Sequence, residues 1–598
     1  MSFLAAKRQE AIDLIAAWVA ATVEGADRLD PALLRALGRD ESWDGWRLPL
    51  RGARGGDLHL LLDQEFPYSL PRFELGRRAD LLRAPHVEAG GRLCLAGDGG
   101  RADTRDPVAV VAYSFDEALS LIAEDEAGGN HEDYAVDFDA YWRRDVTDPL
   151  PLRTWLNAER PSRLVSAWHG QAFYFIAENV NDVRTWLTNR YGTDETRTFE
   201  NAALIWLDQL PEPGMYPNNA GGARRLIEAK SHNGDGVSVF DRLMSNMTGR
   251  AAVVFMGTTP TGDVVQAGLL VEDPSWASAN TKAPKPSLTR GFRPGRVPSS
   301  ILALRRRSRR VEVQRSNAWL GRMHADEGTQ LAAKKVAILG CGSLGGGVAK
   351  LLLQSGISRM TFVDPDTFAW VNVGRHELGS DSTEQNKAIA LVERFRPMYP
   401  HARELSAEPT SWQALLRRNP EALKDCDLIL SLIGDWNAES ALNDLQRSGS
   451  DEVRAPILYG WLEEQGGAAH ALVIGLAGAC FRCGFGPTGT IHMPATAWPR
   501  HASVACGGPT SIYGAVDLVP AQSLVASLAI DLLLGRASPP VRRAWLAPRS
   551  TLAHGGGRWH PRWIEHYGDP MQGGKLTATS WPKDVTCSCA PLPATSCS

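Results

Sequence analysis

The chain has little cysteine, little net charge and no long uninterrupted apolar run. Nine cysteines in 598 residues, with no export signal, argue against a disulfide scaffold. They suit a reducing compartment in which thiols serve catalysis or metal binding. A formal net charge of -4 speaks against a dominant nucleic-acid role. No stretch reaches the ~18 consecutive apolar residues of a membrane helix. The opening MSFLAAKRQEAIDLIAAWVAATVEGA interrupts its apolar pattern with Lys7, Arg8, Glu10 and Asp13, so it reads as an amphipathic helix rather than a secretory leader. A cytoplasmic protein that enters no membrane is expected. No internal repeat or long low-complexity tract is evident. What remains, 43% hydrophobic and 22% charged, is ordinary globular composition, and the length suits three or four domains.

The most informative stretch begins at Lys335. Val336–Leu339 is a short apolar run, as a buried parallel strand should be. Gly340, Gly342 and Gly345 then form G-x-G-x-x-G leading into a helix, a loop whose backbone N–H groups and helix N-terminus can approach phosphate. Thr361–Val363 reads as a second strand, and Asp364 at its end suits a ribose hydroxyl. A nicotinamide dehydrogenase would share these features. It would have no use for Asn372 and Arg375 shortly after the acidic pair Asp364 and Asp366. An enzyme that holds a triphosphate for adenylyl transfer would.

With Lys387 in E-Q-N-K and Asp435 in L-I-L-S-L-I-G-D-W, this segment resembles the adenylation domain of the ThiF/MoeB and ubiquitin-activating enzymes. The resemblance implies an ATP site made of Gly340, Gly342, Gly345, Asp364, Asp366, Asn372, Arg375, Lys387 and Asp435. Asp435 would serve Mg²⁺, and Arg322 would be the upstream catalytic arginine. Asn386, before the lysine, departs from the family pattern and is expected to matter little.

The cysteines sort by context. Cys341 in the glycine loop and Cys426 before the strand Leu428–Ile433 read as packing residues. Cys480 and Cys483 form C-F-R-C, and Cys587 and Cys589 form C-S-C; together they offer four thiolates to a structural Zn²⁺. Related adenylation proteins use two C-x-x-C pairs, from which the second pair departs. Cys597 falls in a polar tail. Cys506 lies in a glycine-rich loop ahead of an apolar helix over Ala521–Leu534, where a thiolate gains from the helix N-terminus. Activating enzymes that form a thioester carry their catalytic cysteine in such a loop. A loop cysteine of no consequence, or a zinc ligand, is the alternative.

Near the N-terminus, Leu58–Leu62 and Phe73–Leu75 read as strands joined by the rigid turn Phe66-Pro67-Tyr68 and Pro71. His86 and Gly91-Arg92-Leu93-Cys94-Leu95 follow. This order resembles a ubiquitin-conjugating domain with Cys94 as its catalytic thiol; a buried structural cysteine is the alternative. Val87 and Glu88 stand where that family has the proline and asparagine of H-P-N. The asparagine normally supports the oxyanion, so another donor must serve. His86 reads equally well as a structural histidine.

Between these regions, apolar runs at Arg163–Trp168, Ala172–Ala177, Ala202–Leu207, Ala251–Met256 and Val264–Val271, with a helix at Asp182–Tyr191, predict a separate α+β domain without a catalytic signature. Trp276–Arg315 reads as a connector, helical at Ser299–Arg310. Positions 282–315 hold eleven Lys/Arg and one acidic residue, Glu312. A solvated connector or a dock for an acidic partner both fit.

The expected fold is multidomain α/β and α+β. It comprises a conjugating-like α+β domain over 1–158, a central α+β linker domain and basic connector over 159–315, and a Rossmann-like adenylation domain over 316–598. That arrangement resembles the fused activating–conjugating ligases of type II CBASS antiphage operons. The resemblance implies that the C-terminal carboxylate of a cGAS-like nucleotidyltransferase is adenylated, carried as thioesters on Cys506 and then Cys94, and joined to a target lysine. It also implies a homodimer through the adenylation domains. The residues alone support the adenylate and two-thiolate chemistry. A sulfur-carrier adenylyltransferase and a non-catalytic scaffold are the rival readings.

Overall fold

The computed structural model of the chain describes residues 3–40, 42–50, 56–76, 84–88, 91–95, 105–144, 146, 150–192, 198–247, 249–272, 306–316, 327–475, 478–486, 489–499, 513–584, 587 and 589. The chain divides into two compact units, Met1–Val180 with Thr198–Arg315, and Asn181–Arg197 with Ser316–Ser598.

The first unit holds two sheets. One is an antiparallel meander in chain order, Asp27–Arg28, Asp44–Pro49, Asp57–Leu62 and Arg72–Leu75. Alternation along Asp57–Leu62 sends Leu58, Leu60 and Leu62 into one core with Phe66 and Phe73, and Leu61 into another with Leu29 and Leu34. Helix Phe3–Thr22 covers the first core with Ala11, Ile12, Ile15 and Val19, one stripe at helical spacing. Helix Pro107–Ala127 adds Val111 and Ala118. Its start is set by Asp106, whose side chain accepts the Ala109 N–H, and by Pro107 at the first turn; Gly128 at φ 69° ends it. Truncating Leu60 would cost ~2–5 kcal/mol.

The second sheet has eight strands in the order Arg307–Val311, Val264–Glu272, Arg250–Thr258, Phe199–Leu207, Arg163–His169, Tyr174–Ala177, Leu152–Trp155 and Val313–Arg315. Helices Ala220–Lys230 and Asp235–Asn246 cover one face with Leu226, Ile227, Phe240 and Leu243. Leu152–Trp155, ahead of the expected boundary at 158, is already a strand of this sheet. The basic connector is corrected in part: Arg307–Val311 is a strand antiparallel to Val264–Glu272, not the end of a helix. Ser308 pairs with Val271 and Val311 with Gly268; three positions apart, these two buried residues face opposite sides, and the ladder to Val264–Glu272 makes the segment a strand. The connector's earlier residues lie outside the described ones.

The second unit is built on another eight-stranded sheet, ordered Glu404–Glu408, Arg359–Val363, Lys335–Leu339, Leu428–Ser431, Ile457–Leu462, Ala468–Val473, Val541–Leu546 and Lys575–Thr579. The first five strands are parallel and the rest antiparallel. Val336–Leu339 and Leu428–Leu430 are apolar throughout because both faces of the sheet are covered. The strand order reverses beside Lys335–Leu339, and ligands of open α/β sheets sit at the carboxyl end of such a reversal. Helix Ala515–Leu533 corrects one expectation. It starts six residues earlier than the sequence suggests and, at 19 residues, is long and apolar enough to span a membrane by length and composition. Its Leu518, Leu524, Val525 and Leu528 are instead buried in the sheet's core.

Candidate functional site

A cavity of 670 Å³ opens at the strand reversal, lined by Gly340, Gly342, Asp364, Asp366, Lys387, Asp435, Leu432 and Ile433, with Ser411, Trp412, Gln413 and Arg417 on a further wall. The glycines divide their labour. A Cβ on Gly340, at φ 94°, would lie 2.6 Å from the Leu432 carbonyl oxygen, and one on Gly345 2.0 Å from that of Gly340, so both are demanded by close backbone packing. A Cβ on Gly342 would meet nothing within 4 Å; it caps the helix Ser343–Gln354 and leaves its N-terminus open to the cavity.

Asp364 is buried, and its two oxygens accept the Cys341 N–H at 2.6 Å and the Asp366 N–H at 2.7 Å. Its carboxylate therefore ties the glycine loop to the second strand as well as facing the cavity. Burial raises its pKa against these bonds. Lys387 places Nζ 2.8 Å from Asp366 Oδ2, a cation poised at the loop's mouth. Asp435 caps helix Trp436–Arg447 by accepting the Ala438 N–H at 2.7 Å. Asn372 accepts the Ala369 N–H at 3.1 Å, and the Arg375 guanidinium sits 4.5 Å from the centre of the Tyr513 ring. Asn372, Arg375 and Gly345 are not among the residues that line this cavity. Arg322 lies outside the described residues.

Several supports escaped the sequence reading. Asn386, expected to matter little, accepts the Ala388 and Ile389 N–H groups and donates Nδ2 to the carbonyls of Asp364 and Asp366. It fixes where Lys387 starts its helix. His376 accepts the Leu378 N–H at Nδ1, so its Nε2 carries the proton it donates to the Cys341 carbonyl at 2.8 Å. Burial keeps this ring neutral. Glu439 is buried under the loop that ends in Asp435 and accepts a bond from Ser431 Oγ at 3.0 Å. Burial pushes its pKa up to about 8.

Glu439 has a measurable consequence. Its proton is held more tightly folded than unfolded, so the stability it contributes is full below the ordinary glutamate range and is lost as pH rises through about 8. Between pH 7 and pH 9 the loss comes to ~1.4 kcal/mol. Wild-type Tm should fall more than that of Glu439→Gln over this interval, by ~1–2 °C for a chain of this size. Equal falls in a differential scanning measurement would contradict it.

A second site lies in the first unit. The half-buried Cys94 donates its N–H to the His86 carbonyl at 2.7 Å. His86 holds φ 60°, uncommon for a non-glycine residue. Its N–H donates to Tyr141 Oη at 2.6 Å and its Nε2 lies 3.1 Å from Asp133 Oδ2. Gly91, at φ 90°, passes so close to Leu75 that a Cβ would sit 2.8 Å from that carbonyl. Val87 and Glu88 are used by the backbone: Val87 bridges Leu93, and the Glu88 N–H donates to the Arg92 carbonyl at 2.7 Å. Asp133 and Tyr141 were not singled out in the sequence.

Cys480, Cys483, Cys587 and Cys589 gather with all four sulfurs within 4.8 Å of one another. The pairs Cys480–Cys587, Cys480–Cys483 and Cys483–Cys589 are 3.6, 3.9 and 3.4 Å apart. Tetrahedral thiolates ~2.3 Å from one ion would be ~3.8 Å apart, so the C-x-C spacing fits a metal as well as C-x-x-C does. Asn443 Oδ1 accepts the Phe481 N–H and the Trp581 Nε1–H donates to the Cys480 carbonyl, fixing the knuckle between the cysteines. Cys341 and Cys426 are buried, as expected. Cys506 and Cys597 lie outside the described residues.

The comparisons with known proteins follow the same division. Prokaryotic E2 family B matches residues 39–150 and the ThiF family residues 314–550. The ATP-dependent ubiquitin transferase-like protein Cap2 of Pseudomonas aeruginosa is 25% identical over 545 residues, 85% of this chain and 92% of that one. Together these matches support a Cap2-type fusion of an E2-like domain with a ThiF-family domain. In this fusion the nucleotide-type cavity falls in the ThiF match and Cys94 in the E2 match. Cap2 of Enterobacter hormaechei is 32% identical over 117 residues, 19% of each chain. A sulfur carrier protein adenylyltransferase of Thermus thermophilus is 25% identical over 218 residues, 35% of this chain and 73% of that one.

Proposed function

We propose that the fusion is an ATP-dependent ligase that activates the C-terminal carboxylate of a partner protein, carries it as thioesters and joins it to an amine. The ThiF and E2 matches together support ATP-dependent transferase chemistry with a ubiquitin-like carrier. The observation that carries the finer reading is the presence in one chain of a phosphate-cradling cavity, with Lys387 and Asp435 on its wall, and a cysteine held in an E2-like loop. The carrier is taken to be the tail of a cGAS-like nucleotidyltransferase, the acceptor a lysine on a target protein, the working form a homodimer and the setting cytoplasmic antiphage defence.

In the first step the carboxylate oxygen attacks the α-phosphorus of ATP and pyrophosphate leaves. The loop N–H groups and Lys387 stabilise charge on the phosphates, with Gly340, Gly342, Gly345, Asp364, Asp366, Asn372 and Arg375 as the binding set and Arg322 as a further cation. Mg²⁺, held through Asp435, would neutralise the leaving group. The Cys506 thiolate attacks the acyl carbon and AMP leaves; Cys94 then exchanges for Cys506; finally an amine attacks, the C–S bond breaks and an amide remains.

Incubating the full chain with Mg·ATP and the nucleotidyltransferase encoded beside it should give thiol-sensitive covalent adducts on non-reducing gels. ATP consumption with no thioester would favour the sulfur-carrier reading, which the Thermus relative supports; there Cys94→Ala should leave activity intact.

The four-cysteine cluster is proposed to hold structural Zn²⁺. Elemental analysis should find one zinc per chain and none in Cys483→Ser. Tm should fall by ~5 °C or more, since a structural zinc contributes on the order of 10 kcal/mol to folding and each kcal/mol shifts Tm by ~1–2 °C at this size. A metal-free wild type of full stability would contradict this.

A further inference from the structure

Thioester aminolysis builds negative charge on the acyl oxygen, and a donor aimed at that oxygen accelerates it. Val87 and Glu88, which replace the proline and asparagine of H-P-N, carry no side-chain amide, and both are engaged through their backbones. We propose that Tyr141 is the missing donor: its phenol O–H hydrogen-bonds the oxygen of the tetrahedral intermediate at Cys94. The assignment rests on the proposed relay through Cys94.

The geometry is a short chain of contacts. Tyr141 comes from helix Phe138–Arg143 and is 3% exposed. Its Oη accepts the His86 N–H at 2.6 Å, and the His86 carbonyl in turn accepts the Cys94 N–H at 2.7 Å. One residue therefore separates the phenol from the catalytic cysteine's backbone. Because the phenolic oxygen is acting as acceptor toward His86, its own proton is available for donation. The ring is fixed by Tyr134, edge-on with centroids 4.9 Å apart, and by the Arg144 guanidinium 4.9 Å from its centre. Burial, chiefly, keeps the phenol protonated. The unusual backbone of His86 and its contact with Asp133 at 3.1 Å hold the loop against the phenol. A preorganised donor of this kind avoids reorganisation when charge develops.

In the step itself the lysine nitrogen bonds to the acyl carbon and the carbonyl π pair moves to oxygen, where Tyr141 donates. The pair then returns, the C–S bond breaks with its electrons to Cys94 sulfur, and the nitrogen gives up its extra proton to solvent. Tyr141 keeps its proton throughout.

The test uses the full chain charged at Cys94 with Mg·ATP and the nucleotidyltransferase, then chased with free lysine. Tyr141→Phe should slow discharge by ~100-fold, the scale of one oxyanion donor. Alkylation of uncharged Cys94 by iodoacetamide, which displaces iodide at a CH2 carbon and builds no charge on a carbonyl oxygen, should stay within about twofold. 3-Fluorotyrosine at position 141, which retains the donor and the packing, should discharge at least as fast as wild type. Unchanged discharge in Tyr141→Phe, a parallel change in alkylation, or loss of discharge with 3-fluorotyrosine would overturn the assignment. A wild type that forms no thioester on Cys94 would instead overturn the proposed function, and the assignment with it.

Discussion

Lys387→Ala is expected to lower ATP–pyrophosphate exchange by ~100-fold or more while leaving the fold intact. The lysine lines the cavity beside the open glycine of the loop, and its side chain is only 12% exposed. A charge-assisted bond to phosphate in such a place is worth ~1.5–3 kcal/mol, which alone approaches a hundredfold. Removing it also leaves Asp366, 2.8 Å away, as an uncompensated negative charge facing an anionic substrate. Lys387→Arg keeps the charge but not the point geometry and should fall between the two. Tm should change little, because the helix that begins at Lys387 is capped by Asn386 through its side chain. Exchange in Lys387→Ala within about threefold of wild type, with Tm unchanged, would remove this lysine from the site.

Cys94→Ala is expected to abolish conjugate formation, below about one part in a thousand of wild type, and to leave ATP–pyrophosphate exchange untouched. The substitution removes one half-buried sulfur and keeps every backbone bond of the loop, including the Cys94 N–H to His86. A structural loss is therefore not expected, and the Tm should move by no more than ~2 °C. Carrier should accumulate as a thiol-sensitive adduct at Cys506, since its onward acceptor is gone. Conjugation that survives Cys94→Ala would remove the second thiol from the relay and leave the E2-like domain as a docking element.

What could be read from the sequence was local, and what could not was distant. The loop glycines, Asp364, Lys387 and Asp435 announce themselves because each stands at a strand end or helix start with its own spacing. The structure brings six of the nine expected ATP-site residues to one cavity, while Gly345 is used in packing and Asn372 and Arg375 stand apart from its lining. The wall formed by Trp412, Gln413 and Arg417 had no motif, because it comes from another crossover helix and depends on strand order. Asn386 was dismissed as a departure from pattern, though a short amide before a helix is a capping signal that could have been heeded. Cys94 and His86 were legible as a spacing. Asp133 and Tyr141 come from 47 and 55 residues beyond His86, and no periodicity links them. The connector's arginines suggested a charged helix, and the three-residue spacing of the buried Ser308 and Val311 suits one; the segment is a strand because it pairs with Val264–Glu272, remote in sequence.

The relay itself is tested most directly by trapping its two thioesters in order. Wild-type chain would be mixed with Mg·ATP and labelled nucleotidyltransferase, stripped of ATP after one turnover, and quenched in acid at intervals for peptide mapping by mass spectrometry. The expected result is label on Cys506 first, its transfer to Cys94, and then its appearance in a thiol-resistant amide, with Cys94→Ala arrested at Cys506. Amide that forms with no thioester on either cysteine, or label that reaches Cys94 in a Cys506→Ala chain, would contradict it.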